Sequence, residues 1–100
     1  MKKLNLSKSV GIEDQTYKHL VIACLNHVNP QIGINIEEQR KRMRILDAVE
    51  KANDELVLED ADAEILKGLV NAMPWAVVKK EIVQFSDDVS AMENVIPNET

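Results

Sequence analysis

Apolar residues recur at intervals of three and four along most of this chain, and that spacing places them on one face of an α-helix. The most regular example lies in the last third of the chain: Trp75, Val78, Ile82, Phe85 and Val89. Similar stripes lie between residues 17 and 28, 43 and 52, and 65 and 73. The pattern predicts an all-α fold, a compact bundle of about four helices.

Capping residues and helix breakers separate the four predicted helices. Asn29-Pro30 ends the first, Asn35 is a good N-cap for the second, and Pro74 separates the third from the fourth. The predicted helices start at residues 13 or 14, 36, 60 and 75, and they end near residues 27, 52, 73 and 92. Within the second helix, Met43 and the apolar residues at helical spacing from it are expected to face the core.

Two short segments do not fit the helical pattern. Leu4 and Leu6 alternate with polar neighbours, which is the period of two that is typical of a strand. Residues 55–58 are compatible with a second extended piece, so residues 3–6 and 55–58 can pair as a short β-ribbon if the ribbon packs on the helices. We expect a single helical domain over residues 1–93 and a flexible C-terminal tail at residues 94–100.

The composition favours helices and a cytoplasmic location. Tyr17, Trp75 and Phe85 are the three aromatic residues of the chain, so its core must be aliphatic. No apolar stretch approaches the ~18 residues that span a membrane, and the first residues lack the apolar region of a signal peptide. Cys24 is the single cysteine, which fits a reducing compartment. We therefore expect a cytoplasmic protein without membrane contact.

Charge divides the chain into two halves. Residues 1–51 carry a net charge of +3, and residues 52–100 carry −8. Polarised charge in a small domain concerns partners and association rates more than the fold. Each half contains one cluster that could form a binding surface.

The basic cluster lies in the second predicted helix and consists of Arg40, Lys41, Arg42 and Arg44. Such a run can bind phosphates. Successive residues point about 100° apart on a helix, however, so the four cations spread around it. Glu37 and Glu38 lie four residues before Lys41 and Arg42, in the favourable order for ion pairs, and no aromatic residue is available to stack on bases. Nucleic-acid binding is therefore the alternative, and a self-paired helix face is the expectation.

The acidic cluster is the better candidate for binding and consists of Asp54, Glu55, Glu59, Asp60, Asp62 and Glu64. Part of it stabilises the start of the third helix through the helix dipole. No cation in the same segment pairs with it before Lys67, so it can present a negative surface to a basic partner protein. Trp75 is expected either to anchor the core or, if it is exposed, to form the hot spot of an interface.

Signatures of catalysis are missing from the sequence. There is no glycine-rich phosphate loop, no nucleophile elbow and no pair of residues with a recognisable catalytic spacing. His19, Cys24 and His27 share one predicted helix, but His19 and Cys24 point about 140° apart and cannot hold one metal ion. We therefore expect a protein that is not an enzyme, with no cofactor and no metal.

These observations favour a non-enzymatic protein-interaction module: an adaptor, a regulator or an inhibitor. It would act through its acidic surface and a helical apolar patch. Small acidic helical proteins of this kind are frequent among accessory and phage-encoded factors. A homodimer is a further option because the two halves carry opposite charge. The alternatives are a nucleic-acid-associated regulator that uses the basic cluster, or a structural component of a larger assembly.

Overall fold

The structure is a computed structural model that describes residues 1–94, and these residues form four α-helices and a three-stranded antiparallel sheet. The elements in chain order are β1 (Lys2–Asn5), α1 (Tyr17–Asn26), α2 (Ile36–Lys51), β2 (Glu55–Leu58), α3 (Asp60–Ala72), α4 (Lys80–Ser90) and β3 (Glu93–Asn94). The four predicted helices are all present. The all-α class is confirmed only in part, because the sheet makes the fold a mixed α and β one. The predicted tail lies, apart from Asn94, outside the described residues.

The predicted ribbon is confirmed as the pairing of β1 with β2. Their register places Lys2 opposite Leu58 and Asn5 opposite Glu55. The Leu6 amide donates to the Asp54 carbonyl at 2.8 Å, which continues the pairing by one residue. The third strand was not predicted, because β3 contains two residues and pairs with the other side of β1. The strand order is therefore β2-β1-β3.

The ribbon is stable because one of its faces belongs to the core. Leu4, Leu6, Leu56 and Leu58 are all buried, whereas Val57 between the last two is 37% exposed. Helices α2 and α3 pack against β2. A two-stranded ribbon is marginal alone, and burial of these leucines supplies the stabilisation that it needs.

Helix α1 begins at Tyr17, three or four residues later than predicted. Glu13 has a φ of 46°, in the left-handed region that a helix cannot contain. The Gln15 amide donates to the Ile12 carbonyl at 2.9 Å, so the two predicted first-turn acids lie in a turn. The helix starts where the His19 ring accepts a hydrogen bond from the Thr16 amide at 3.0 Å. This bond gives a partner to the Thr16 amide, which has no hydrogen-bond acceptor within the helix.

Helix α4 also begins later than predicted, at Lys80 instead of Trp75. Residues 74–79 form a loop in which Val78 is fully exposed, so Val78 does not belong to the apolar stripe. The adjacent β-branched residues Val77 and Val78 would lose side-chain freedom in a helix. The remainder of the stripe is buried as predicted, at Ile82, Phe85 and Val89.

The core joins the inner face of the sheet to all four helices. Its largest fully buried side chains include Leu6, Ile45, Leu56, Leu66 and Phe85. Cys24 is 1% exposed, and its burial raises the pKa of the thiol to about 12. The thiol is therefore neutral at physiological pH and contributes to packing as a small apolar group.

The alternation in β2 can be tested with two neighbouring substitutions. We expect Leu56→Ala to lower the free energy of unfolding by about 2–5 kcal/mol, because it leaves a cavity in the core. Val57→Ala on the opposite face should lower it by less than about 1 kcal/mol. Denaturant unfolding monitored by circular dichroism measures both values. Equal losses for the two variants would contradict the register of the sheet.

Candidate protein-binding surfaces

The six residues of the acidic cluster occupy three structural settings. Asp54 and Glu55 lie where β2 begins, and Glu59 and Asp60 lie between β2 and the first turn of α3. The other two, Asp62 and Glu64, project from α3. Five of the six are exposed, and Asp62 is the exception, with 5% of its surface exposed. The cluster is therefore not one uniform surface.

Asp62 pairs with Arg44, so the two charge clusters meet inside the fold. The Arg44 Nε donates to both carboxylate oxygens of Asp62, at 3.2 Å and 3.0 Å, and Nη2 donates to Oδ1 as well. The hydrogen bonds and the negative charge of Asp62 raise the pKa of the Arg44 guanidinium. The bidentate geometry is the strong form of this interaction. The expectation that the acidic cluster lacks a partner is wrong at Asp62.

The remaining acidic residues differ in their partners. Asp60 lies 3.2 Å from the amino group of Met1, and Glu64 lies 3.1 Å from Lys67 one helical turn away. Within residues 1–94, the carboxylates of Asp54, Glu55 and Glu59 have no ion pair and no side-chain hydrogen bond. These three residues carry the acidic charge that remains for a partner.

The basic cluster is mostly used within the fold. Lys41 lies 3.4 Å from Glu38 and 3.8 Å from Glu37, which confirms one predicted ion pair. The predicted pair of Glu38 with Arg42 is wrong. Arg42 instead donates to the carbonyls of Leu25, at 3.2 Å, and His27.

The role of Arg42 has a simple cause. The last carbonyls of a helix lack intrahelical donors, and a guanidinium can satisfy two of them at once. Arg42 thereby ties α2 to the C-terminal end of α1. Of the four predicted nucleic-acid residues, Arg40 alone has no ion pair or side-chain hydrogen bond to the described part of the chain.

An apolar groove that the sequence did not indicate lies between the end of α1, residues 27–35 and α2. Its volume is about 440 Å³. The apolar side chains that line it are those of Leu25, Val28, Ile34, Met43 and Leu46. Met43 in this groove is 54% exposed. Two adjoining depressions contain the other exposed residues: Ile36, 62% exposed, shares one with Met43, and Ile32, 82% exposed, lies in one that Val28 and Ile34 also line. We call this surface, with its three exposed residues, the Ile-Met groove.

The loop that forms one wall of the groove is held by local hydrogen bonds. The Asn29 side chain accepts from the Gln31 amide at 2.9 Å, and the Asn29 carbonyl accepts from the Gly33 amide at 2.8 Å. Gly33 has a φ of 68°, which a residue with a side chain adopts only with strain. The predicted N-cap is confirmed, because the Asn35 side chain accepts from the Glu38 amide at 2.8 Å. The exposed isoleucines therefore occupy defined positions.

Sequence reasoning missed the groove because it assigned Met43 to the core. The buried residues of α2 are Ile45 and Val49, whereas Met43 points about 160° away from Ile45 and about 120° away from Val49, on the exposed side of the helix. One signal was available in the sequence. Three isoleucines alternate with polar residues and glycine from residue 32 to residue 36, in a loop where apolar residues are unusual.

The sequence predicted that Trp75 would be either a core anchor or an exposed hot spot, and its burial is intermediate between the two. It is half-buried, and its ring packs edge-to-face against Phe85 with the ring centroids 6.1 Å apart. Phe85 in turn packs against Tyr17 at 5.0 Å. Trp75 therefore covers one end of the core, and only part of its ring is available to a partner.

A polar cluster on another side of the molecule joins the N-terminal segment, α1 and α4. The Tyr17 hydroxyl donates to Asp88 Oδ2 at 2.6 Å, Lys8 Nζ donates to the same oxygen at 3.3 Å, and Gln84 donates to Oδ1 at 2.8 Å. Burial opposes ionisation of Asp88, but these three donors outweigh it and lower the pKa of the carboxyl. Burial and the neighbouring carboxylate raise the pKa of Tyr17. The cluster holds three segments together, and each member has a partner.

Comparison of the chain with protein-family models, with curated proteins and with solved structures finds no match. Among the described residues there is no group of three His, Cys, Asp or Glu side chains that could hold a metal ion. No helix within residues 1–94 is both long enough and apolar enough to cross a membrane.

The ion pair between Arg44 and Asp62 should contribute more to stability than an exposed pair in the same helix. We expect Asp62→Asn to lower the melting temperature by about 4–8 °C, because a neutral amide replaces the buried carboxylate that accepts the hydrogen bonds of the Arg44 guanidinium. Glu64→Gln, which removes the exposed partner of Lys67, is the matched control and should have little effect. Thermal unfolding measures both. Identical shifts would show that the Arg44 pair has no special role.

The Asp88 cluster should make the fold sensitive to acid. Because the folded-state pKa of Asp88 is depressed, its stabilising effect is complete above the unfolded-state pKa of about 3.9 and is lost as the pH falls below that value. The melting temperature of the wild type should therefore fall more steeply below about pH 4 than that of Asp88→Asn. Asp87→Asn changes an exposed neighbour and should keep the wild-type slope. Equal slopes for all three proteins would contradict the role of Asp88.

Proposed function

We propose that this chain is a non-enzymatic protein-binding module whose main contact surface is the Ile-Met groove. The observation that carries the proposal is the apolar lining of the groove, together with the exposure of Met43 in it and of Ile36 and Ile32 in two depressions that adjoin it. Isolated exposed apolar residues are ordinary on a protein surface, but a contiguous apolar patch is typical of interaction sites. Met is common where a surface accommodates a partner, because its side chain is flexible and polarisable.

The charges near the groove favour one kind of partner. Arg42 lines the groove itself, and Arg40, Arg44 and Asp47 surround the adjoining depression beside Met43. Arg44 is paired with Asp62, so Arg40 and Arg42 against Asp47 leave a small net positive charge, which favours a negatively charged partner segment. The partner that fits is an amphipathic helix whose apolar face enters the groove and whose polar face carries acidic residues.

The acidic residues remain part of the proposal in a second role. None of the six lines the groove, so the acidic cluster and the apolar groove are separate surfaces. Asp54, Glu55 and Glu59 keep free carboxylates. We propose that they increase the association rate with partners of positive charge and discourage partners of negative charge at that side.

Nucleic-acid binding receives less support than protein binding. Lys41, Arg42 and Arg44 already have acceptors within the fold, so phosphates would compete with existing bonds for three of the four cations. Arg40 alone supplies a weak phosphate contact. Of the remaining alternatives, a homodimer would use the same exposed groove and is tested by sedimentation below; no observation favours a structural component of a larger assembly.

The test uses a displayed library of amphipathic 16-residue helices with acidic polar faces. We expect binders whose affinity for Met43→Glu is at least about tenfold weaker than for the wild type, because the substitution places a charge in an apolar contact. Val78→Glu is the matched control, since Val78 is a fully exposed apolar residue outside the groove. It should bind like the wild type.

Two outcomes would count against the proposal. Binders that do not distinguish Met43→Glu from the wild type would place the contact elsewhere, and a library without binders would remove the support for a helical partner. Sedimentation of the wild type and of Met43→Glu measures self-association, and it distinguishes a homodimer from a complex with another protein. Self-association that the substitution abolishes would assign the groove to a second copy of the chain.

A further inference from the structure

Strand β2 is an edge strand, and its outer edge is open. The order β2-β1-β3 leaves β2 with one neighbour. In an antiparallel pair, every second residue directs its backbone N–H and C=O toward the neighbouring strand, and the residues between direct theirs away. The bond from the Leu6 amide to the Asp54 carbonyl identifies which residues face β1. Asp54, Leu56 and Leu58 therefore pair with β1, and Glu55 and Val57 direct their backbone groups outward.

Those outward groups lack partners within residues 1–94. No backbone or side-chain hydrogen bond of the described chain involves the main chain of Glu55 or Val57. Both residues are exposed, Val57 to 37%. Exposed backbone donors and acceptors along an edge can pair with another strand. Proteins protect such an edge with a short strand, charged side chains, proline or a bulge. This four-residue strand contains no proline, so its protection against indiscriminate pairing is its length and the charge of Glu55.

The side chains beside this edge define what can pair with it. Glu55 and Val57 are exposed together on one face, and Glu59 continues the alternation with an extended backbone at φ −58° and ψ 152°. The edge thus presents an acidic, an apolar and an acidic side chain in alternate positions. Neither carboxylate has an ion pair within the described chain.

We propose that the outer edge of β2 binds an extended basic segment of a partner protein as an added strand. The segment carries a cation, an apolar residue and a second cation at alternate positions, opposite Glu55, Val57 and Glu59. Backbone hydrogen bonds to Glu55 and Val57 hold the added strand, and the cross-strand charges select it. This binding mode uses a different surface from the Ile-Met groove, so neither proposal depends on the other.

A second copy of the chain is a poor occupant of the edge. The antiparallel register that brings the Val57 side chains of two copies together also places Glu55 of one copy opposite Glu59 of the other. It does so twice, so four carboxylates meet in two like-charged pairs. Like charges directly opposite each other destabilise a pair of strands. The charge of the edge therefore selects against self-association and favours a basic segment.

Hydrogen exchange of the free protein tests the premise. Within β2, the Leu56 and Leu58 amides should be protected by their bonds to β1, whereas the Glu55 and Val57 amides should exchange at least about tenfold faster. NMR spectroscopy of the full chain measures all four. If the Glu55 and Val57 amides are protected as strongly as their neighbours, the edge is covered and the proposal is wrong.

Binding is tested with the peptide Thr-Lys-Thr-Val-Thr-Lys-Thr, blocked at both ends, and with the same peptide carrying Glu in place of Lys as the control. The pattern is symmetric, so it matches the edge in either strand direction. We expect chemical-shift changes at the Glu55 and Val57 amides with the Lys peptide and none with the Glu peptide. The double substitution Glu55→Lys with Glu59→Lys should reverse that preference, because it exchanges the charges without altering the backbone.

Further variants separate this surface from the groove. Met43→Glu should leave the affinity for the Lys peptide unchanged within about twofold, since Met43 lies in the groove. Val57→Pro removes an outward N–H that β1 does not use, and it should weaken binding at least about tenfold. Shift changes at groove residues, or equal binding of the two peptides to the wild type, would overturn the proposal. A helix library that yields no binders for the Ile-Met groove would leave the proposal for the β2 edge unaffected.

Discussion

Pairing of β1 with β2 determines how the rest of the chain is arranged. It brings residues 2–5 to the middle of the sequence and places Leu4 and Leu56 on one buried face. The helices pack on that face, because burial of apolar area is the main stabilising term available to a chain of this size. The pairing also places β1 in the centre of the sheet. One edge is then occupied by β3, and the other, the outer edge of β2, remains open.

In the fold, many of the charges that divide the sequence into two halves form contacts within the molecule. These contacts connect elements: Arg44 in α2 binds Asp62 in α3, and Arg42 binds the carbonyls at the end of α1. A partly buried carboxylate such as Asp62 requires such a partner, because an unpaired charge there would be strongly destabilising. The charges that remain free are fewer than the sequence indicates. Within the two clusters, the charges without an ion pair to the described residues are those of Arg40 near the groove, Arg42, and the carboxylates of Asp54, Glu55 and Glu59.

Local sequence patterns predicted those elements whose signals are local. Asn35 caps α2 at the predicted residue, and the alternation at Leu4 and Leu6 predicted the ribbon. The starts of α1 and α4 were missed, because a left-handed residue at Glu13 and a loop before Lys80 depend on tertiary context. The pairing of Arg44 with Asp62 spans 18 residues, and no periodicity reports it. The groove likewise exists only because a loop and two helices meet, so single-helix patterns assigned Met43 to the core.

The two proposed surfaces carry charge of opposite sign, and this difference affects which partner each one binds. The groove is bordered mainly by cations and the β2 edge by carboxylates. A segment that matches one surface is therefore repelled by the other, so selection against the wrong partner accompanies selection for the right one. Their geometry adds a second level of discrimination, because a helix fits the groove and an extended chain fits the edge. The groove is also preorganised: hydrogen bonds of Asn29 and the left-handed Gly33 hold its loop without a partner, which reduces the entropy lost on binding. Neither Ile32 nor Ile36 belongs to the core, so core packing does not account for these side chains, and the proposed interface gives them a role.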